Sequence, residues 1–222
     1  MSTTQKPTPP LLPEAPELLE GAEAGQRLYA LASQGETAAQ MHLKGADLSA
    51  EQLPEISFSH CILEGCRFAG TSLQKASFTD CALRSCDFSG ADVTDAYFSR
   101  CTVSGCKLLG ANLNGAMLHS AVFTDSNLRL TCFEGAGLER VHFVRCTMAG
   151  VLLSGMKLKA PAFVECDLSG ACFTGTLLRG VDLRGCTLTE ASAGEQLREF
   201  RGAIVDVEGA VALAKLLGVE IR

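Results

Sequence analysis

Residues 86–118 read CDFSG-ADVTD-AYFSR-CTVSG-CKLLG-ANLNG-AML, and each block of five has the same plan. A small residue, a polar one, a large apolar one and another polar one are followed by glycine or a polar residue. Carried outward, the large position runs from Leu43 to Leu188, and all 30 of its occupants are Leu, Phe, Val or Met. Two residues earlier the chain is usually small, as at Ala46, Cys61, Cys66, Thr71, Ala76, Cys81 and Cys86. Two residues later it is often Gly, as at Gly65, Gly70, Gly90, Gly105 and Gly110.

Neither regular element buries such a pattern. Five residues rotate a helix by about 140°, and a strand repeats every second residue, so the large side chains would wander around either one. A backbone that turns by a right angle at each repeat sends every large and every small residue inward, and it closes a coil every 20 residues. That closure makes an independent demand: residues 20 apart must stack and match in kind. Cys66, Cys86 and Cys106 continue past Ser126 to Cys146, Cys166 and Cys186. Cys61, Cys81 and Cys101 form a second column, Ala76, Ala96, Ala116 and Ala136 a third, and Phe58, Phe78 and Phe98 a fourth. The predicted fold is therefore an all-β solenoid of square section.

Composition agrees with a soluble protein. The 222 residues carry a formal charge of −6, which gives no general reason to bind nucleic acid directly. No run approaches the roughly 18 apolar residues of a membrane span, and the opening residues lack the charged and apolar blocks of a signal peptide. With 11 cysteines in such a chain, the expectation is a reduced, cytoplasmic protein.

GADLS at 45–49, CDFSGADV at 86–93, GANLNGAML at 110–118 and GVDLRGCTL at 180–188 resemble the A(D/N)LXX motif of the pentapeptide-repeat proteins. The resemblance covers residues 41–190 and implies a right-handed quadrilateral β-helix. At 20 residues per coil this span makes about 7.5 coils, a rod roughly 36 Å long at the spacing of paired strands.

A solenoid needs its ends covered. Pro7, Pro9, Pro10, Pro13 and Pro16 suggest a mobile arm over 1–16. Residues 17–40 follow as an N-terminal helical cap, whose helix over 17–33 offers Leu18, Leu19, Leu28, Tyr29 and Leu31. The repeat falters after Leu188 and resumes two residues out of step at Phe200 and Val205. In the C-terminal cap, 191–222, Asp206 is placed to cap a helix ending at Gly218, and a short strand is expected over 219–221. That helix presents Val207, Val211, Leu213, Ala214, Leu216 and Leu217 over too wide an arc for a cap alone. The ending GVEI is similar to that of family members that dimerise through this end, so these six residues are the candidate interface of a homodimer.

Nine cysteines occupy the inward small position, where Ala, Ser, Thr and Val also occur, and they read as small apolar residues. Cys132 and Cys172 point outward and are the candidate reactive thiols. His42, His60, His119 and His142 read as solvated and too dispersed to share a metal. No nucleophile–base set, phosphate loop or facing carboxylates come together in a filled coil, so neither catalysis nor a cofactor is expected.

What remains is surface. In the quinolone-resistance members of the family, an acidic rod imitates duplex DNA in the groove of DNA gyrase or topoisomerase IV. The face centred on Leu53, Leu73, Val93, Leu113 and Phe133 carries Glu51, Glu55, Asp92, Asp95 and Glu134 against Lys75. It is the candidate partner-binding face. The next face carries Arg100, Arg140, Lys157, Lys159 and Arg179 against Asp80 and Glu139 and would oppose a basic groove. No loop interrupts the repeats, unlike the strongest topoisomerase-protecting members. Two functions stay open, a DNA mimic of this kind and a scaffold or effector-type module that binds an unrelated protein.

Overall fold

The structure, a computed structural model, describes residues 5–221 and has the square coil the repeat predicts, as the right-handed quadrilateral β-helix that the family resemblance implies. Its strands are β1 (Glu17–Glu20), β2 (Thr37–Ala39), β3 (Met41–Lys44), β4 (Ser57–Ser59), β5 (Ile62–Glu64), β6 (Ser77–Thr79), β7 (Ala82–Arg84), β8 (Tyr97–Ser104), β9 (Met117–Thr124), β10 (Gly137–Glu139), β11 (His142–Val144), β12 (Lys157–Lys159) and β13 (Ala162–Val164). They form parallel ladders on two adjacent walls, in a register of 20 residues: Phe58 on Phe78, Leu63 on Leu83, Phe143 on Phe163. The other two walls are tied by single bridges at the same offset, such as Arg67 with Asp87 and Ser72 with Asp92.

The quarter-turn has a visible cause. Every fifth residue from Gln40 to Glu190 lies in the left-handed region, with φ between 49° and 76°. These are the positions at which the repeat favours Gly, the residue without a Cβ penalty there. Side-chain-bearing residues such as Glu165 (φ 52°) hold more than half of these corners against that penalty. At Gly175 (φ 75°) a Cβ would have the Gly155 nitrogen at an ordinary contact distance of 3.6 Å, so the cost of a side chain there is backbone strain. Gly175→Val is expected to destabilise by about 2 kcal/mol, and Glu165→Gly to stabilise by about 0.5 kcal/mol, in urea melts. Equal effects at both positions would refute this account of the corners.

Inside, the large residues are buried from Leu43 to Leu188 with one exception, the half-buried Leu158. Phe58, Phe78 and Phe98 stack with ring centroids 4.9 and 4.7 Å apart, which is the rise of one coil. Phe123, Phe143 and Phe163 repeat the arrangement at 5.1 and 5.3 Å. Leu158 marks a seam. β12 pairs only with β10 and β13 only with β11. Among the described residues no backbone-to-backbone hydrogen bond joins 156–165 to 176–185. A cleft of about 490 Å³ lined by Pro161, Phe163, Val164, Asp182 and Arg184 opens there. Pro161 stands at an inward position filled elsewhere by Cys, Ala or Val, and the corner at Gly180 opens to φ 76° from the 50° of Ala160. The two coils differ in shape along this half of the circumference and do not pair.

Both ends depart in detail from expectation. The helix expected over 17–33 is instead β1 followed by α1 (Gly21–Gln34). ELLE extends the ladder by pairing with β3, and Gly21 (φ 53°) makes the junction. Leu19, Leu28 and Leu31 are buried under the first coil, whereas Leu18 and Tyr29 face solvent. The arm expected to be mobile is, over residues 5–16, laid along the rod. At the other end Leu183 N–H bonds Ile204 O, so the last coil resumes 22 residues after its predecessor. Asp206 caps α2 (Val207–Leu216) by accepting from Gly209 N–H at 2.8 Å, and its second oxygen accepts from Gly185 N–H at 2.7 Å. The strand expected over 219–221 does not form, because no neighbouring strand lies beside it to complete a ladder.

Candidate functional site

The five acidic residues stand on one wall as predicted, though not by equivalent means. Asp92 projects outward between corners, Glu55 and Asp95 occupy corners, and Glu134 follows the buried Phe133. Glu51 sits at an inward position, but no coil lies beneath this wall at the end of the rod. Its side chain is therefore exposed, at the rim of a recess shared with Gly25, Tyr29 and Asp47. Asp92 accepts from Gln74 Nε2 at 2.6 Å, Thr94 Oγ1 at 2.6 Å and Asn112 Nδ2 at 3.4 Å. Burial pushes its carboxyl up, and the hydrogen bonds from Thr94 and Gln74 more than reverse this, holding it below the usual carboxylate range.

Pairing on this wall is sparse. Among the described residues only Glu55 of the five has a salt bridge, to Lys75 at 3.8 Å, and it is solvent-exposed. Elsewhere Asp47 meets Arg67, Asp80 meets Arg100, Asp125 meets Arg145, Asp182 meets Arg184, and Glu139 meets both Arg140 and Lys159. The basic wall is accordingly weaker than its sequence count. Arg100, Arg140 and Lys159 are paired, leaving Lys157 and Arg179 as its cations outside the salt bridges found among the described residues.

All 11 cysteines are free thiols, and nine are buried in the inward columns. Cys66 and Cys81 are pushed up by hydrogen bonding to the stacked cysteines next to them and by burial, which keeps them inert. Cys172 differs. Burial raises its pKa, but hydrogen bonds from Ser154, Thr174 and Ser192 outweigh that and bring it down to about 7. Iodoacetamide at pH 7 is expected to modify Cys172 first, ahead of Cys132, with the other nine protected until unfolding. Uniform labelling detected by peptide mass spectrometry would refute this.

The histidines are more engaged than solvated groups. His42 Nε2 lies 3.2 Å from Glu64, and His60 Nδ1 lies 2.8 Å from Ser59 Oγ. His119 is between Glu139 and Arg140. His142 is lowered by burial, which a backbone hydrogen bond to Gln5 partly offsets. Among the described residues no three metal-ligating side chains converge, and no helix is long and apolar enough to cross a membrane.

At the C-terminal end α2 lies across the last coil on its Gly209, Ala212 and Leu213 side. Of the predicted interface residues, Leu213 packs inward against the core. Val211, Ala214 and Leu216 are half-buried, while Val207 (79%) and Leu217 (62%) are exposed, together with Val219 and Ile221.

A filled lumen inside a convex shell defines a repeat solenoid whose available surface is its exterior. Family models agree: one for the pentapeptide repeat region matches residues 39–113, 76–150 and 96–173, and one for pentapeptide repeats (8 copies) matches 162–192. The chain belongs to the pentapeptide-repeat family. Among solved structures it is similar to trypsin-treated QnrB1, a plasmid-mediated fluoroquinolone resistance protein, at 22% identity over 93% of this chain and 97% of that one (TM-score 0.43). It is also similar to HetL, a protein involved in heterocyst differentiation regulation from Nostoc sp. strain PCC 7120, at 21% identity over 81% and 96% (TM-score 0.34). A pentapeptide repeat protein from the thylakoid lumen of Arabidopsis thaliana shares 30% identity over 52% and 66% (TM-score 0.37). With TM-scores below 0.5, these likenesses carry no functional argument. No curated protein matches the chain.

Proposed function

We propose that this protein is a non-enzymatic, cytoplasmic binding rod whose acidic wall, Glu51, Glu55, Asp92, Asp95 and Glu134, is presented to the DNA-binding groove of DNA gyrase or topoisomerase IV. The observation that carries the reading is the pairing contrast. Of this wall's five acids only Glu55 pairs with a cation among the described residues, whereas Asp47, Asp80, Asp125, Glu139 and Asp182 on the other walls each meet an arginine or a lysine. Two copies joined through their C-terminal ends would double the length of the imitation.

Charge density favours the second reading, a scaffold for an unrelated protein. The wall's net charge of −4, five acids less Lys75, is spread over four coil steps, about 19 Å. Duplex DNA carries one charge per roughly 1.7 Å, so the wall has about a third of that density. A gyrase supercoiling assay separates the two. The mimic inhibits at micromolar protein or below, or relieves quinolone poisoning, and its effect falls with added salt and with Asp92→Asn and Asp95→Asn together. No effect up to tens of micromolar leaves the scaffold.

A further inference from the structure

The N-terminal arm is seated. Leu11 N–H donates to Asp80 Oδ1 at 3.0 Å, the backbone of Gln5 lies near enough to the His142 ring to raise its pKa, and Glu17 N–H bonds Gln40 O at the foot of the rod. Residues 5–16 thus climb one corner of the solenoid. From the level of Asp80 to that of His142 is three coils, about 14 Å. Six residues of polyproline II cover about 19 Å, enough for an oblique path.

Burial along the arm has a period of three. Pro7, Pro10, Pro13 and Pro16 are half-buried, with Leu12 beside them, whereas Lys6, Thr8, Pro9, Leu11, Glu14 and Ala15 are exposed. A polyproline II helix repeats every three residues, so prolines spaced by three put one edge against the rod. The rod is shaped to receive it. Along the arm's corner, Asp80 and Ser120 are buried, His60, Arg100 and Arg140 half-buried, and the outward-facing Ala82 and Ser99 are buried as well. One corner further on, Gly65, Ser85, Gly105, Asp125 and Arg145 are all exposed. Ala82, Ser99 and Ser120 are the small side chains of this corner, and a buried carboxylate, Asp80, stands among them. Asp80 is held by Arg100 Nε at 2.7 Å, by a second bond from the same guanidinium, and by His60 Nε2 at 3.7 Å. One of its oxygens still accepts from the peptide backbone.

We propose that this corner, built from Asp80, Ala82, Ser99, Arg100, Ser120 and Arg140, is a recognition groove for extended proline-rich peptides. Residues 5–16 occupy it in cis, and a proline-rich segment of another protein occupies it in trans once the arm is displaced. The seated arm supplies the chemistry of the ligand. Prolines every third residue lie on this corner at low conformational cost, and a non-proline residue between them gives its N–H to Asp80. Tethering holds the arm at an effective concentration in the millimolar range, so the groove is closed to weak competitors. This surface is separate from the acidic wall, and its test is independent of any topoisomerase.

The test uses the full chain. In hydrogen exchange, the Leu11 amide is expected to be slowed at least about tenfold relative to the free peptide of residues 5–16. Leu11→Pro removes that N–H, and because the side chain is exposed it disturbs little else. Fluorescein-labelled peptide 5–16 is then expected to bind the Leu11→Pro chain at least about tenfold more tightly than the wild type, read by anisotropy. Asp80→Ala in the Leu11→Pro background, which removes the acceptor, abolishes that gain, with folding verified by thermal melts, and a peptide with Pro7, Pro10, Pro13 and Pro16 changed to Ala binds weakly. An unprotected Leu11 amide overturns the proposal without any variant. So does a Leu11→Pro chain that takes up no peptide, or that binds the proline-free peptide equally well.

Discussion

Phe78→Ala is expected to cost about 4–5 kcal/mol, a large part of the stability of an ordinary domain. Phe78 is fully buried between Phe58 and Phe98, near-parallel to both, so its loss empties the middle of a three-ring column. The walls cannot collapse to fill the gap, because the corners and the ladder fix the cross-section. In a solenoid each coil rests only on its neighbours, so the damage is directional. Coils before residue 78 are expected to lose amide protection, while those around the Phe123, Phe143 and Phe163 column keep theirs. Phe78→Leu, which keeps most of the volume, is expected to cost about 1–1.5 kcal/mol. Urea melts with hydrogen exchange measure both; a loss under about 1 kcal/mol for the alanine variant means that the lumen is loosely packed.

Val207→Glu with Leu217→Glu is expected to convert a dimer into a folded monomer. Both side chains are largely exposed, and with Val219 and Ile221 they leave an apolar surface at the C-terminal end that α2 does not bury against its own coil. Placing two charges in a dry interface is expected to weaken association at least about 100-fold. Light scattering and sedimentation give the answer: a wild-type monomer at about 100 μM, or a dimer unaffected by the double substitution, defeats the proposal. Truncation before Gly202 should give a monomer or an aggregate, but it is the blunter test. It also strips Ala212 and Leu213, which cover the last coil, so point substitutions separate pairing from capping.

The square coil was legible because two periods had to agree. The five-residue spacing of Leu, Phe, Val and Met set the turn, and the Cys66 to Cys186 column set the closure. The Asp206 cap and the two-residue slip before Val205 were legible for a related reason, since local chemistry and register are written along the chain. The seam was not. Pro161 and Gly180 each look tolerable in their own repeat, and only their effect on two neighbouring coils breaks the ladder. The β1 extension was hidden by the helical appearance of ELLE next to α1. For the arm, the spacing of Pro7, Pro10, Pro13 and Pro16 was present in the sequence, but it has meaning only once a corner of the rod lies beneath it. The acidic wall was legible as a set of positions, whereas the scarcity of its salt bridges, Glu55 with Lys75 alone among the described residues, depends on which cation stacks one coil away. Cys172 was found by its outward position; the lowering of its pKa requires Ser154 and Ser192, which belong to adjacent coils.

The seam beside Leu158 gives the rod uneven compliance. Over most of its length every wall transmits load through backbone bonds, so bending stretches many of them together. Between 156–165 and 176–185 two walls carry no backbone-to-backbone bond among the described residues and are bridged by Met156 N–H donating to Thr176 Oγ1 at 2.8 Å, while the opposite walls stay fastened through Asp167 with Thr187 and Cys172 with Ser192. Those remaining ties form an axis about which the final coils and α2 rock, widening or narrowing the Pro161 cleft. A partner gripping the two ends meets a stiff shaft with a single articulated head, and force applied along the shaft opens that joint first.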